Sequence, residues 1–302
     1  NGLGGEAVRE YFFANYRMLI DEKITEDTFM QYLKEFERPM PYTDTFTIHM
    51  GDPAQLEEKI DVALKYPGIE ISDRISVHDT EENWSIVGDP ENPDERKIVC
   101  CKRDYSEITL YMQEEARYYE ELQMWLDPCI PFSGMIRIAC EAGMALRGGF
   151  SLHASLVEKD GFGIVFLGPS GMGKSTQAKL WKEYLGADFI IGDRPGFHRI
   201  DGVWVGYGMP WDGKDGIKRQ KSVPIKAFVS LEQAKINQIR SLNSKEAMQV
   251  LLRQAMMPMW DAAAMDDLLR LISLLPQEIP FYHLQNLADE ECVRMTCNTV
   301  FP

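Results

Sequence analysis

The sequence predicts an α/β protein in which a smaller, acidic α/β domain precedes a second domain with a mixed sheet. Three observations lead to this prediction. A glycine-rich, phosphate-binding pattern lies between an apolar run and a helical segment. Short apolar runs separated by turn residues recur on both sides of it, which is typical of strands. The charge of the chain also changes from strongly acidic to near neutral at about residue 130.

The first domain is predicted to span residues 1–130, which carry 29 Asp and Glu against 13 Lys and Arg. This charge argues against nucleic acid or an anionic membrane as a partner. Recognition of a substrate or partner remains open, as does a role in solubility alone. Histidines 49 and 78 are expected to be ordinary sheet residues. Periodicity favours helices at 5–19 and 26–36, followed by strands at 45–49, 69–77, 84–87, 97–102 and 107–112.

The second domain is predicted to span residues 131–302, because a turn-rich sequence at 127–131 precedes it. Its 18 acidic and 19 basic residues suit a polyanionic ligand. A hairpin of 151–158 and 163–167 gives the strand before the phosphate-binding pattern an antiparallel neighbour. The remainder is expected to be mostly helical after the elements at 134–146, 174–185, 187–191, 197–200, 203–206 and 225–231.

Residues 168–176 read Gly-Pro-Ser-Gly-Met-Gly-Lys-Ser-Thr and match G-x-x-x-x-G-K-[ST] in its strand–helix context. Glycines let backbone N–H groups face phosphate oxygens, and the helix N-terminus adds partial positive charge. Lys174 is expected to bridge the β- and γ-phosphates of a nucleoside triphosphate, and the Ser175 hydroxyl to ligate Mg²⁺. The predicted binding residues are Gly168, Ser170, Gly171, Met172, Gly173, Lys174, Ser175 and Thr176.

Two further side chains are candidates for the same site. Asp193 follows an apolar strand, where the carboxyl ends of strands open onto a ligand crevice. We predict that it holds Mg²⁺ opposite Ser175; a plain ion pair with Arg194 is the alternative. The hairpin brings His153 near the phosphate loop, so a role in the site and a place in the core both remain open.

The segments after residue 206 leave two questions open. The basic run 214–221 could fold over a triphosphate, dock a phosphorylated product or stay in solvent. Tyr207 and Trp211 could stack on a base or close the core.

Several classes of protein are excluded or disfavoured. An 18-residue uncharged apolar stretch is missing, so we expect no membrane partner and a cytoplasmic location. The six cysteines form no C-x-x-C pair, which favours a reducing compartment without a structural metal. A G-x-G-x-x-G turn and an L-S-G-G-Q segment are both absent, which disfavours dinucleotide enzymes and ABC-type ATPases.

The order of these motifs resembles the HPr kinase/phosphorylase catalytic domain and the wider group with the phosphoenolpyruvate carboxykinase nucleotide fold. The similarity is greatest to the smaller HPr-kinase-like proteins of bacteria. It rests on Ser-Leu-His-Ala-Ser at 151–155, the phosphate loop, a strand ending in an aspartate, and Gly-Met-Pro-Trp at 208–211. Specific motifs cover 150–215, and the layout extends over 131–302. The resemblance implies ATP and Mg²⁺ as cofactors, transfer of the γ-phosphoryl group to a serine hydroxyl, and catalytic roles for Lys174, Asp193 and His153.

One position departs from that family. Two adjacent aspartates are usual where this chain has Gly192-Asp193, and the missing one is the expected general base. Its loss would cost about 10²–10⁴-fold in rate unless His153 or Asp212 replaces it. The leading hypothesis is therefore an ATP-dependent kinase acting on a protein, peptide or small molecule.

The alternatives differ in class from a kinase. One is a nucleotide-binding regulator without catalysis. Another is a carboxykinase-related enzyme, which the short chain disfavours. A homo-oligomer, the acceptor and the choice between ATP and GTP remain open.

Overall fold

The computed structural model describes residues 8–24, 33–89, 96–112, 117–119, 124–126, 132–211 and 216–302. The chain divides into two compact units. The first comprises Asn1–Leu146 together with Pro258–Ala264, and the second comprises Arg147–Met257 and Met265–Pro302. This division differs from the expected 1–130 and 131–302, because the helix that ends at Leu146 packs on the first unit's sheet.

The first unit is built on an eight-stranded sheet with the strand order β1-β2-β3-β8-β7-β6-β5-β4. A second sheet in this unit pairs β9 with β10. Its elements are β1 (Val8–Phe13), β2 (Tyr16–Asp21), β3 (Asp44–Met50), α1 (Leu56–Ala63), β4 (Gly68–Ser72), β5 (Ile75–Asp79), β6 (Trp84–Gly88), β7 (Lys97–Cys101), β8 (Glu107–Tyr111), β9 (Arg117–Tyr119), β10 (Met124–Leu126) and α2 (Phe132–Leu146).

The prediction of a helix at 5–19 is wrong, because residues 8–19 belong to the β1–β2 hairpin. Ala14 and Asn15 make its two-residue turn with φ of 45° and 70°, the positive values that a tight hairpin turn with the twist of its strands requires. Buried residues alternate along β2, as in a strand with one covered face. Of the helix expected at 26–36, only the last residues lie within the described chain, where Lys34–Phe36 form a short 3-10 turn. The five strand-like runs correspond to β3–β8, with the longest divided between β4 and β5.

The first unit's sheet is covered on both faces. Leu56, Ile60 and Ala63 of α1 pack with Val87 and Ile98. The next residue after Val87 is Gly88, whose missing side chain would point at the Met135 sulfur on α2, 3.1 Å away. Since neighbouring residues of a strand face opposite sides, α1 and α2 cover opposite faces.

A segment from late in the chain completes the first unit's core. The Tyr105 hydroxyl donates to Asp261 at 3.0 Å and accepts from the Trp260 indole nitrogen at 2.8 Å. All three side chains are buried. Burial raises the pKa of Tyr105 far above its usual value, and the Asp261 charge adds to this effect. The residues 258–264 therefore belong to this unit through specific hydrogen bonds as well as through packing.

The second unit contains a nine-stranded mixed sheet. Its order is β11-β15-β16-β17-β13-β12-β14, with β19 beside β17 and β18 beside β19. Its elements, including helix α5, which begins at the end of the first unit, are β11 (Gly149–Ser151), β12 (Ala154–Lys159), β13 (Phe162–Leu167), α3 (Lys174–Leu185), β14 (Asp188–Ile191), β15 (Gly196–Ile200), β16 (Val203–Tyr207), β17 (Ser222–Gln233), β18 (Gln238–Ser241), α4 (Ser244–Gln254), α5 (Ala262–Glu278), β19 (Phe281–Asn286) and α6 (Glu290–Val300).

The strand directions bring several loops to one edge of this sheet. Strand β13 is parallel to β17, β17 is parallel to β19, and both β13 and β14 are antiparallel to β12. The carboxyl ends of β13, β14, β17 and β19 therefore share an edge, where ligands of such sheets bind. The predicted hairpin around residue 160 is confirmed. Strands β11, β18 and β19 were not predicted.

Helices α3 and α6 pack on this sheet through a continuous apolar core. Trp181 of α3 is fully buried and meets the Phe166 ring edge-on at 5.7 Å between centroids. This packing fixes α3 against β13, and therefore fixes the loop that joins them. No helix within the described ranges combines the length and apolar character that a membrane span requires.

Candidate nucleotide-binding site

The predicted phosphate loop joins β13 to α3, and two of its glycines adopt positive φ angles. Gly171 has a φ of 81°, and Gly173, which precedes the first residue of α3, has a φ of 95°. Side chains with a Cβ rarely adopt these values. The loop therefore turns tightly enough to lead directly into the helix, whose free N–H groups face the cleft side.

The Lys174 side chain folds back over this loop. Its Nζ atom donates to the carbonyl oxygens of Gly168 at 2.8 Å and Pro169 at 3.2 Å, and lies 3.2 Å from the His153 Nε2 atom. Only 7% of the residue is exposed. Burial lowers the pKa of Lys174, the Asp193 carboxylate opposes this shift, and Arg194 adds to it. A buried cation held by neutral acceptors would gain from a polyanion placed above the loop.

Asp193 and His153 converge on the same point. The His153 Nε2 atom lies 3.6 Å from Asp193 Oδ1, and the same nitrogen contacts Lys174. Asp193 Oδ1 is buried and has no hydrogen-bond partner within the described structure. A buried carboxylate oxygen in this state is suited to a cation. The predicted proximity of His153 to the loop is thus present in the geometry.

Most of the predicted residues line one cleft of about 470 Å³. Gly168 and Met172 are the exceptions. Gly168 contributes its carbonyl oxygen to Lys174, and the Met172 side chain packs against the apolar core. The residues that line the cleft are His153, Ser170, Gly171, Gly173, Lys174, Ser175, Thr176, Lys179, Gly192 and Asp193.

The donor set fits Mg²⁺ bound together with a nucleotide. Among the described residues, no three His, Cys, Asp or Glu side chains cluster so as to hold an ion by themselves. Mg²⁺ commonly uses one or two protein oxygens and completes its shell with phosphate oxygens and water. Ser175 and Asp193 Oδ1, which accepts no hydrogen bond in the described structure, are the protein groups that would hold it here.

Two supporting residues were not predicted. The buried Ser155 hydroxyl donates to the Gly192 carbonyl oxygen at 2.8 Å. Gln254, at the end of α4, is also buried. With its amide oriented to satisfy its surroundings, its nitrogen donates to the carbonyl oxygens of Gly168 at 3.1 Å and His153 at 3.2 Å. Ser155 belongs to the motif at 151–155, which is the signal that could have identified it. Gln254 lies about 80 residues from the loop and has no local sequence signal.

Within its described residues the basic segment places no side chain in the cleft, although its Ile217 carbonyl accepts from the N–H of Gly192 in the cleft wall at 3.1 Å. Arg219 and Lys221 pair with Asp188 at 2.6 and 2.8 Å, at the start of β14, whereas Asp193 follows its end. Residues 212–215, including Asp212 and Lys214, lie outside the described residues.

The two aromatic residues before this segment lie in the core. Tyr207 and Trp211 are buried, and burial raises the pKa of Tyr207 to about 12. Neither residue lines the cleft. Closing the core is therefore the role that this geometry assigns to them, and stacking on a base is not.

Comparison with known proteins provides a family for this chain. No curated protein matches the sequence. Among solved structures, the Hpr(Ser) kinase/phosphatase from Coxiella burnetii is similar over 50% of this chain and 92% of that chain, at 13% identity and a TM-score of 0.29. Residues 135–286, which are 152 of the 302 residues, match the family model described as "SynChlorMet cassette protein ScmC". The chain belongs to that family.

Proposed function

We propose that the chain is an ATP- and Mg²⁺-dependent phosphotransferase of the HPr-kinase-like type, with a nucleotide domain of the phosphoenolpyruvate carboxykinase kind. It transfers the γ-phosphoryl group to a hydroxyl, such as that of a serine, on a protein, peptide or small molecule. One observation carries the proposal. The His153 Nε2 atom lies 3.2 Å from Lys174 Nζ and 3.6 Å from Asp193 Oδ1, beside the phosphate loop.

In this proposal Lys174 leaves the loop carbonyls and binds the β- and γ-phosphate oxygens. Ser175 and Asp193 would hold Mg²⁺, which would neutralise charge on the phosphate oxygens. His153 Nε2 then accepts the proton of the attacking hydroxyl. The new bond joins the acceptor oxygen to the γ-phosphorus, the bond to the β-phosphate oxygen breaks, and ADP leaves.

One position favours a second candidate function, that of a nucleotide-binding regulator without catalysis. Gly192 stands in the cleft wall where a general base is expected in the resembled family, and it offers only backbone atoms. Both of these atoms are engaged, since its carbonyl accepts from Ser155 and its N–H donates to the Ile217 carbonyl at 3.1 Å. The regulator would bind ATP through the same loop and turn over slowly or not at all.

The two functions are separated by transfer of γ-labelled phosphate from Mg²⁺·ATP to components of a dialysed lysate of the source organism. The proposal predicts a labelled protein or small product with the wild-type chain and with Asp160→Asn, an exposed carboxylate on the β12–β13 turn. It predicts no label with Asp193→Asn. Binding of ATP without any transfer in the wild type would instead support the regulator.

A further inference from the structure

The cleft has a chemically distinct side toward β14. His153 precedes β12 and Asp193 follows β14, and both strands lie on one side of β13. Strands β17 and β19 lie on the other side. Under the proposed function, His153 and Asp193 mark the γ-phosphate end of the nucleotide, because they are the side chains proposed to act at the transferred phosphoryl group. The nucleoside therefore extends toward the ends of β17 and β19.

Those strand ends are tied to the loop and to the first turn of α3. Gln233, the last residue of β17, donates to the Gly171 carbonyl oxygen at 3.1 Å. Gln177, one turn into α3, donates to Asn286 Oδ1 at 3.0 Å, at the end of β19. Asn286 in turn donates to the Glu232 carbonyl at 3.0 Å. The segments that follow β17 and β19 are thus held beside the loop that is to bind the phosphates.

These segments present two large apolar side chains to solvent. Ile236 is 55% exposed and Leu287 is 51% exposed. The Leu287 N–H donates to Asn237 Oδ1 at 2.8 Å, which places the two apolar residues on neighbouring, hydrogen-bonded segments. Asn237 also donates to Asp289 Oδ1 at 3.0 Å, so its side chain is committed to fixing this arrangement.

We propose that Ile236 and Leu287 form the surface against which the base of the bound nucleotide packs. The inference rests on the proposed function, because it requires the phosphates to occupy the loop. A nucleobase offers a flat, largely apolar face, and ligand sites recognise such faces with apolar side chains while a few polar groups fix orientation. The pair adds affinity for the nucleoside and adds none for the triphosphate chain.

The test compares two ligands by titration calorimetry, Mg²⁺·ATP and Mg²⁺·inorganic triphosphate. The variants are the double substitution Ile236→Ala with Leu287→Ala, and Val203→Ala as a control that removes a 50% exposed apolar side chain from the start of β16. Loss of two aliphatic contacts with the base predicts about tenfold weaker ATP binding and unchanged triphosphate binding. The control is expected to bind both ligands as the wild type does.

Other outcomes overturn the inference in distinguishable ways. Wild-type protein that binds triphosphate as tightly as ATP would reject the base surface and leave the phosphate loop intact. Equal weakening of both ligands in the double variant, with an unchanged melting temperature, would reject it as well. If the double variant differed from the wild type in molecular mass in solution but bound ATP equally well, the surface would be assigned to contact with a second copy of the chain. Failure of the wild type to bind either ligand would reject the proposed function itself.

Discussion

The Ser155 hydroxyl donates a 2.8 Å hydrogen bond to the carbonyl oxygen of Gly192, the residue before Asp193. The backbone pairing of β12 with β14 extends only to Leu156 opposite Ile191, where the register shifts. The serine side chain therefore continues the connection between the two strands beyond their last backbone pair. Arg194, just after Asp193, has a φ of 58°, so the backbone around the carboxylate is held in an uncommon conformation.

Ser155→Ala is expected to weaken the site and the fold together. The buried Gly192 carbonyl loses its partner, which costs about 1–3 kcal/mol in the free energy of unfolding. Because the freed backbone carries Asp193, the rate of phosphoryl transfer should fall more than the affinity for ATP. Steady-state kinetics that separate kcat from KM measure this difference.

The control for this variant is Thr299→Val, which removes a hydroxyl that donates to the Met295 carbonyl at 2.9 Å within α6. It should change neither kinetic constant. Restoration of kcat by Ser155→Thr would support positioning through the hydroxyl. Unchanged kcat in Ser155→Ala would show that this hydrogen bond does not position Asp193.

Gln254→Met is expected to loosen the phosphate loop. The variant keeps the shape of the side chain and removes both hydrogen bonds to Gly168 and His153, at a cost of about 1–3 kcal/mol in stability. The affinity for Mg²⁺·ATP should fall about tenfold, as measured by calorimetry. Gln277→Met, which removes an exposed bond to the Ser273 carbonyl, serves as the control. A loss of stability with full ATP affinity would limit Gln254 to a structural role.

Local patterns predicted the parts of the second unit that form the cleft. The β12–β13 hairpin, the loop and α3 are continuous in sequence, so the motif determines their order and their geometry. The place of His153 followed from the hairpin alone. Gln254 and Asn286 reach the site through contacts between segments that are distant in sequence. The hydrophobic periodicity of a single segment does not reveal such contacts.

The first unit was harder to predict because apolar residues are dense in its hairpins. The run Tyr11-Phe12-Phe13 and the residues after the turn satisfy helical spacing as well as strand alternation. In the structure, the turn at Ala14 and Asn15 makes the segment a hairpin. Its sequence gave little warning of this, because Asn-Gly, the strongest hairpin signal, is absent there. The contribution of 258–264 to this unit depends on the Tyr105–Asp261 contact, across 156 residues of chain.

Tyr105→Phe is expected to destabilise the first unit. The Asp261 carboxylate and the Trp260 indole N–H lose their shared partner while remaining buried, at a cost of about 2–4 kcal/mol. Thermal unfolding should show a lower midpoint, and Tyr42→Phe, at a 43% exposed position, should show no change. Equal midpoints for the two variants would mean that these hydrogen bonds do not hold the segment in place.

Alkaline pH is expected to weaken the packing of α6 through Cys292. Burial raises the pKa of this thiol to about 11, and the bond from Gln177 opposes the shift. The pKa in the fold lies above the usual 9.0, so the neutral thiol stabilises the fold fully below pH 9. That contribution, up to about 3 kcal/mol, is lost as the pH rises from about 9 to about 11.

Denaturant titrations of the wild type and Cys292→Ala over this range measure the effect. The difference in stability between the two proteins should shrink as the pH rises. A difference that stays constant from pH 8 to pH 11 would show that the thiol does not titrate with a raised pKa.

The most direct test of the central claim is binding of ATP to the wild-type chain and to Lys174→Met, with and without Mg²⁺, by titration calorimetry. We expect one site per chain, tighter binding with Mg²⁺, and affinity reduced about 10- to 100-fold when the charged Lys174 contact is removed. Absence of binding to the wild type, or equal affinity of the two proteins, would contradict it.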